Sequence, residues 1–598
     1  MCRIFGSFAV AATGAELATV SARQRHGGPD ERGVMTGRGW SLGCDRLAVT
    51  DPAGGTQPFT LPTAPGVVAV LNGEIYNHRE LRRRLEARGH RFPDRCDGSL
   101  LPALYTEFGT AFTEELDGMF AVAVLDLRGP LPQLVLAVDG MGMKPLHYHQ
   151  GERGAVRFAS EIPALLAFDG VPAEPRAEAL DTVLSTKTPF GTETALAGIR
   201  VLPPGSVAVA RGAEGLRMLR CGPRAAAPAA GAGPAPSAAG VLEALRGEVH
   251  RLAEVDVPLC ALTSGGLDSG LVTALAAERV RPLHTFHLGY RGRWPEAEHT
   301  YARAVARRVR TRHHEVRVDP AELPSLLTRT VRHLGQPNAD PIAVSTYALF
   351  RAVREAGFTV ALTGDGADEL FGGYDRVRTA LAAPAGTDWT AAYVDALAAA
   401  PRLVREWLYT PEYRAFIAEH GSAADRIAAE LRASGSGRAD TLQAFETRRR
   451  LPAYHLRRVD HLSMAWAVEA RMPFCQPGVV DLARRLPTGP RTGKRALYEA
   501  GRGLLPAPVL RRPKQPFTLP LSAMLAADGP LLWSVRELLA PARLRRGGQL
   551  RADRVQSLFA RHAERPSQRD ALTLWALAVH ELWTDVVQGL RVSTDLAA

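Results

Sequence analysis

Lysine is nearly absent from this chain. Only four occur in 598 residues, Lys144, Lys187, Lys494 and Lys514, so arginine carries almost all of the positive charge behind the formal net of +11. Nowhere do basic residues gather into a long block interleaved with aromatics, so the charge does not mark a nucleic-acid surface. Cysteine is scarce too. The six at positions 2, 44, 96, 221, 260 and 475 contain no C-x-x-C pair, which argues against a zinc site and a disulfide framework and suits a reducing compartment. No apolar run reaches the roughly 18 residues of a membrane span, and the N-terminus lacks a charged stretch followed by an apolar one. A soluble, cytoplasmic protein is expected, with neither membrane nor nucleic acid as partner.

What is present is length and apolar material. At 46% hydrophobic content, 598 residues exceed one ordinary domain and supply at least two cores. Residues 1 to about 205 carry short β-like runs, at 67–71, 120–125 and 134–138, separated by Gly/Pro turns. From 224 to 240 the chain is nearly all Ala, Pro and Gly, a linker composition. Beyond it, strand-like runs at 257–262, 283–288 and 358–362 alternate with helical patterns, as in a parallel α/β sheet, and from about 385 the periodicity is mainly helical. The expected division is 2–205, a connector at 206–240, and 241–598.

Two Gly/Asp-rich segments follow the strand-like runs, where such sheets bind ligands. S-G-G-L-D-S at 264–269 offers successive N–H groups and a helix N-terminus to an anion. A Walker loop needs Lys-Ser/Thr after its last glycine, and this one has Leu267, Asp268 and Ser269. An aspartate in a phosphate nest calls for a cation, so Asp268 is a candidate Mg²⁺ ligand, with Asp368 and Glu369 of the segment 363–369 to complete the site. A tight turn with a capping Asp or Ser is the plainer alternative; two acidic Gly loops at successive strand ends favour the functional one.

S-G-G-L-D-S resembles the loop of ATP-pyrophosphatases, which cleave ATP between the α and β phosphates. G-D-G-A-D-E-L-F-G-G-Y at 364–374 and V-E-A-R-M-P-F at 468–474 narrow the likeness to the asparagine synthetase branch. The resemblance implies that Ser264, Gly265, Gly266 and Ser269 hold pyrophosphate, that Leu262, Leu288, Thr363 and Gly364 cradle adenosine, and that Asp268 and Asp368 bind Mg²⁺. Asp365 is the implied base for incoming ammonia, and Lys494 the implied stabiliser of the tetrahedral intermediate and departing pyrophosphate. In a chain that uses arginine almost everywhere, surviving lysines are candidates for work that needs a compact point charge. Lys514 is a weaker second candidate, Lys144 sits in a motif read as structural, and Lys187 reads as a chance survivor.

At the other end, Cys2 would become an N-terminal nucleophile on loss of Met1, its α-amine serving as base. M-C-R-I-F-G at 1–6, R-H-G-G-P-D at 25–30, N-G-E-I-Y-N at 72–77 and G-M-F-A at 118–121 are similar to class II glutamine amidotransferases in order and spacing. The resemblance implies an oxyanion hole from Asn72 and the Gly73 N–H, Arg46 on the glutamine carboxylate, Asp97 on its ammonium, and a pocket wall that includes Leu47, Ala48, Val49, Thr50 and Glu74.

The implied fold is an Ntn-hydrolase-type αββα sandwich followed by a parallel α/β ATP-pyrophosphatase domain with a mainly helical C-terminal part. The implied activity is a carbon–nitrogen ligase that uses glutamine, ATP and Mg²⁺ to amidate a carboxylate, aspartate in the family, with ammonia crossing an internal channel. A homodimer is left open. Several positions depart from the family pattern: Gly28 for an arginine, Gly98 and Ser99 in a D-x-E run, Val138 for an arginine, Cys475 and Gln476 for L-D, and Tyr498 for an arginine. The changes at 475, 476 and 498 are expected at the acceptor pocket. Two alternatives stay open, an amidotransferase for another carboxylate in natural-product biosynthesis and a catalytically silent binding or regulatory homologue.

Overall fold

The computed structural model describes residues 1–220, 236–294, 298–384, 386–512 and 519–595. Residues 224–235 of the expected linker, and Lys514, lie outside the described residues.

In the first part the strands are β1 (Cys2–Phe8), β2 (Glu31–Gly37), β3 (Trp40–Arg46), β4 (Val67–Ile75), β5 (Gly118–Asp126), β6 (Gln133–Val138), β7 (His147–Gln150), β8 (Val156–Ala159), β9 (Ile199–Val201), β10 (Val207–Arg211) and β11 (Leu216–Arg220). They form two sheets, ordered β2-β3-β1-β8-β7-β9 and β11-β10-β6-β5-β4. Alternation along the strands sends Ile4, Phe8 and Cys44 from one sheet against Val68, Val70, Ala121 and Leu136 from the other. The opposite faces are covered as well, which is why most of β4 and β5 is apolar on both sides. Leu71, Val122 and Val135 pack under α2 (His78–Glu86) and α3 (Leu101–Phe108). Phe5 and Ala159 pack with α1 (Gly14–Gln24) and α4 (Ile162–Leu165). The layers therefore run helix, sheet, sheet, helix. The second sheet includes β10 and β11, which fall in residues expected to be connector, and α6 (Ala238–Leu252) begins inside that stretch too, capped by Ser237. Strands therefore occupy part of the expected connector before residue 221, and a helix its last three residues.

A helix, α5 (Ala179–Thr186), leaves the first part and packs against helices of the second. The second part is built on five parallel strands, β12 (Leu259–Leu262), β13 (His284–Tyr290), β14 (Arg312–Val318), β15 (Val360–Leu362) and β16 (Glu469–Arg471), in the order β14-β13-β12-β15-β16. The chain winds outward from β12 and returns on its other side as β15. The crevice at this reversal is where a doubly wound sheet binds ligands, and the loops 264–269 and 363–369 both open there. Helix α7 (Leu267–Arg279) starts directly from the first of them.

Beyond β15 the chain is mainly helical, as expected. Glu446–Leu456 is wound as a π-helix with Pro452 inside it, and passes into the helix Arg457–Met464. Among the described residues no helix is long and apolar enough to cross a membrane.

The two parts meet across buried charge. Arg3 of β1 donates through Nε to Glu161 Oε1 at 2.7 Å and through Nη1 to Asp460 Oδ2 at 2.7 Å. Lys144 Nζ reaches the other oxygen of Asp460 at 2.8 Å, so this lysine has the structural place expected of it. Burial alone would raise the Asp460 pKa, but Arg3 and Lys144 outweigh it and hold the carboxyl below its ordinary range. Removing one member of such a group leaves an uncompensated buried charge, so Asp460→Ala should cost about 3–5 kcal/mol in urea unfolding. A depressed folded pKa gives stability that is complete above the unfolded value, about pH 4, and fades as pH falls toward the folded one. The variant should lose that acid-side dependence.

Candidate active sites

Cys2 opens β1 at the centre of its sheet, where β3 on one side places Arg46 opposite it. Its sulfur lies in the wall of a small enclosed cavity together with Arg46, Leu47, Val49, Thr50, Gly73, Glu74 and Asp97. Seven expected residues besides the nucleophile are thus brought together. Arg46 is steadied by the Asp51 carbonyl at 2.9 Å and Glu31 at 3.3 Å. Asp97 accepts from the Ile75 N–H at 2.7 Å. Burial raises the Cys2 pKa, but the neighbouring Cys44 thiol, the amino terminus and Arg46 outweigh it and bring the thiol below its ordinary value; Cys44 is pushed up instead.

Two expected residues stand elsewhere. Ala48 is not part of the cavity wall; its N–H donates to Asp30 at 2.9 Å. Asn72 is buried behind the nucleophile, its Oδ1 accepting from Cys2 N at 3.4 Å and its Nδ2 donating to Ser160 Oγ at 3.5 Å. With Met1 in place its amino group donates to the Leu47 carbonyl at 2.8 Å and the Cys2 nitrogen is a peptide N–H; the free amine is expected only after loss of Met1. Gln57 was not foreseen. Its Nε2 donates to Cys2 Sγ at 3.1 Å and its amide pairs with both backbone groups of Leu71. Only the turn-like G-G-T-Q-P around it distinguishes this glutamine in sequence.

The second site is a cavity of about 870 Å³ at the reversal of the parallel sheet. Leu262, Ser264, Gly266, Asp268, Ser269, Leu288, Thr363, Gly364, Asp365, Asp368 and Lys494 all line it. Gly265 does not; it lies under the loop against Tyr301 and Ala302. The Ser264 N–H and hydroxyl both bond Ser269 Oγ, at 3.1 and 2.9 Å, which closes the loop over the start of α7. The second loop packs directly on the first at Gly364, where a Cβ would stand 2.8 Å from Ser269 N, so only glycine lets them touch.

Lys494 Nζ lies between Asp268 Oδ2 at 2.5 Å and Asp368 Oδ1 at 2.6 Å. Burial opposes its charge, and the two carboxylates outweigh that and hold its pKa above the ordinary lysine value. Two carboxylates converging on one cation beside a phosphate-type nest form an oxygen donor set that fits magnesium. Glu369, expected as a third ligand, instead pairs with Arg450 at 3.2 Å, His455 at 2.9 Å and the Tyr374 hydroxyl at 2.5 Å.

A further cluster, His26, Glu161 and His333, brings ligand atoms within 4.8 Å of one another. Arg3 donates to the same Glu161 oxygen that His26 contacts at 3.0 Å. A guanidinium at that point opposes a cation, so the cluster is part of the buried ion network between the two parts.

The family model described as asparagine synthase matches residues 240–585, and that of the glutamine amidotransferase domain matches residues 1–217. The chain belongs to the asparagine synthetase family. It is 31% identical over 579 residues to a putative glutamine-hydrolysing asparagine synthetase of Mycobacterium tuberculosis, covering 87% of each chain. To asparagine synthetase 2 of Oryza sativa it is 31% identical over 392 residues, 62% of this chain and 60% of the rice protein. To asparagine synthetase 3 of Bacillus subtilis it is 28% identical over 520 residues, 82% of each.

Of the three departures expected at the acceptor pocket, Tyr498 lines the cavity and Cys475 and Gln476 do not. Gln476 is fully buried away from the cavity, donating to the Met472 carbonyl at 3.1 Å and accepting from Arg251 at 3.4 Å. Cys475 is packed behind the second loop, 3.6 Å from the Asp365 carbonyl. Tyr498 does line the cavity, but at its Lys494 end, where Lys494, Asp268 and Asp368 act on its hydroxyl. At Gly28 a Cβ would meet the Asp45 carbonyl at 2.0 Å, so this backbone leaves no room for the family's arginine.

Lys494→Met should set Asp268 and Asp368 against each other and lower stability by about 1–3 kcal/mol in EDTA. Millimolar Mg²⁺ should recover much of that loss in thermal melts of the variant and much less of any shift in the unsubstituted chain.

Proposed function

We propose that this chain hydrolyses glutamine at Cys2 and uses the ammonia to amidate a carboxylate activated by ATP, aspartate being the acceptor that the relatives' names suggest. One observation carries the reading: the loops 264–269 and 363–369 and Lys494 converge on one large cavity, in a chain where a separate small cavity holds the buried Cys2 thiol opposite Arg46.

Loss of Met1 would turn the Cys2 nitrogen into a free amine able to take the thiol proton. The thiolate attacks the glutamine amide carbon and ammonia leaves, with the Gly73 N–H stabilising the oxyanion. Asn72 would join it once its amide turns from Ser160. Water then hydrolyses the thioester to glutamate. Arg46 and Asp97 suit the carboxylate and ammonium of the bound amino acid.

In the larger cavity the nest of Ser264, Gly266 and Ser269 would hold the β and γ phosphates, with Leu262, Leu288, Thr363 and Gly364 around the nucleoside. Asp268 and Asp368 would hold Mg²⁺, which supplies positive charge to the departing pyrophosphate. The acceptor carboxylate displaces pyrophosphate from the α-phosphorus, and ammonia then displaces AMP from the acyl carbon. Lys494 stabilises the charge on both leaving groups, and Asp365 takes the proton shed by the incoming ammonia. The two parts then correspond to an Ntn-hydrolase-type glutaminase and an ATP-pyrophosphatase-type synthetase of the cytoplasm.

Amidation of a carboxylate larger than aspartate is favoured by one feature. The cavity runs past the nucleotide loops to Trp389, Tyr393 and Leu572, apolar surface onto which a longer acid could extend.

The product formed from glutamine, ATP and a panel of carboxylic acids, read by mass spectrometry, tests the proposal directly; no amide with any acid would overturn it. Cys2→Ala should abolish glutamine-dependent amide formation and leave the ammonium-dependent rate within about twofold, since the two chemistries use separate residues.

A further inference from the structure

Lys187, which reads as a chance survivor in sequence, lies in the wall of the large cavity. It is contributed by the first part of the chain, where it closes α5 in a left-handed conformation, φ 68°, that glycine takes without strain. Its carbonyl accepts from the Ala339 N–H at 2.7 Å, which fixes it beside Asp340.

The neighbouring cations are matched. Arg458 pairs with Asp340 at 2.5 Å, Arg450 with Glu369 at 3.2 Å, and Arg376 with Glu446 at 2.7 Å. Lys187 makes no side-chain hydrogen bond or ion pair with any described residue. Burial, together with Arg450 and Arg376, outweighs the attraction of Asp340 and lowers its pKa to about 8. The cavity wall therefore carries an ammonium with no ion pair among the described residues, on a side chain that reaches the ligand space from a strained backbone position.

We infer that Lys187 binds an anionic group of the acceptor other than the carboxylate that is activated, so that the enzyme selects acceptors with a second negative charge. The assignment rests on the adenylation reading above. It makes the first part of the chain a contributor to acceptor choice in the second, and it names a positioning and specificity residue rather than one that touches the reacting atoms.

The test is ATP–pyrophosphate exchange by the full chain with aspartate and succinate, each against the half-amide that keeps only the carboxylate to be activated. The unsubstituted enzyme should favour the diacids by on the order of 10- to 100-fold in kcat/KM, the range of a charge-assisted hydrogen bond. Lys187→Met should raise the diacid KM by a similar factor and erase the preference, with the KM for ATP and glutamine hydrolysis unchanged. Lys187→Arg should restore part of it. Lys187→Gly relieves the left-handed backbone, so it should melt no lower than the unsubstituted chain and still lose the discrimination, which separates binding from folding. Exchange that ignores the second charge, or that keeps its preference in Lys187→Met and Lys187→Gly, overturns the assignment alone. Exchange with none of the acids overturns the adenylation reading and the assignment with it.

Discussion

One guanidinium, that of Arg471, sets how the two parts of this chain meet. Arg471 is fully buried and gives Nε to Glu469 at 2.6 Å, Nη1 to the Leu252 carbonyl at 2.7 Å and Nη2 to Glu74 of the first part. A buried arginine is tolerated only when such acceptors are all supplied. The end of α6, strand β16 and strand β4 must therefore come together at one point. Of the two carboxylates, Glu469 keeps its charge: burial works against it, but Arg471 and the amino terminus bring its pKa to about 2. Glu74 is pushed up to about 8 by burial, against the pull of Arg471 and with Glu469 and Asp97 adding to the rise. Both carboxylates lie in the wall of the Cys2 cavity. Strand β16 also pairs with β15, whose far end opens into the second acidic loop. A single side chain thus connects the geometry around the thiol to the geometry around the nucleotide loops.

What the sequence made legible follows from where apolar pattern and chemistry coincide. β4, β5, β6, β12, β13 and β15 are short apolar runs, buried on both faces, and each is found within a few residues of its expected place. β14 is not apolar: R-H-H-E-V-R-V lies at the sheet edge, where half-exposed polar residues suffice. β16 is three residues long, and its motif signals a family without showing that its arginine reaches into the other part. The functional residues behave in the same way. Cys2, Asp268, Asp368 and Lys494 stand in glycine-rich or terminal settings that need a chemical explanation. Gln57 and Lys187 stand in ordinary turns, and only folding brings them to a thiol or a cavity. Neighbours in a motif also separate, as Asn72 does from Gly73 on β4, because successive strand residues face opposite sides.

The scarcity of lysine gains a physical account. Three of the four lie where charge is confined, on one oxygen of Asp460 whose other oxygen Arg3 holds, between Asp268 and Asp368, and on the cavity wall. An ammonium on a flexible stem fits between two carboxylate oxygens 2.5 and 2.6 Å away, whereas the flat arginine fork is suited to pairing side by side with one. Arginine takes the other role here, as in the pair of Arg376 with Glu446.

The π-helix Glu446–Leu456 supplies Arg450, Tyr454 and His455 to the large cavity. Such a winding holds one residue more in its turn than an α-helix of the same rise. Deleting residues there would tighten the winding and turn part of that wall aside. Acceptor choice in descendants of this fold can therefore drift by insertion and deletion, a route that a comparison of aligned pocket residues would miss.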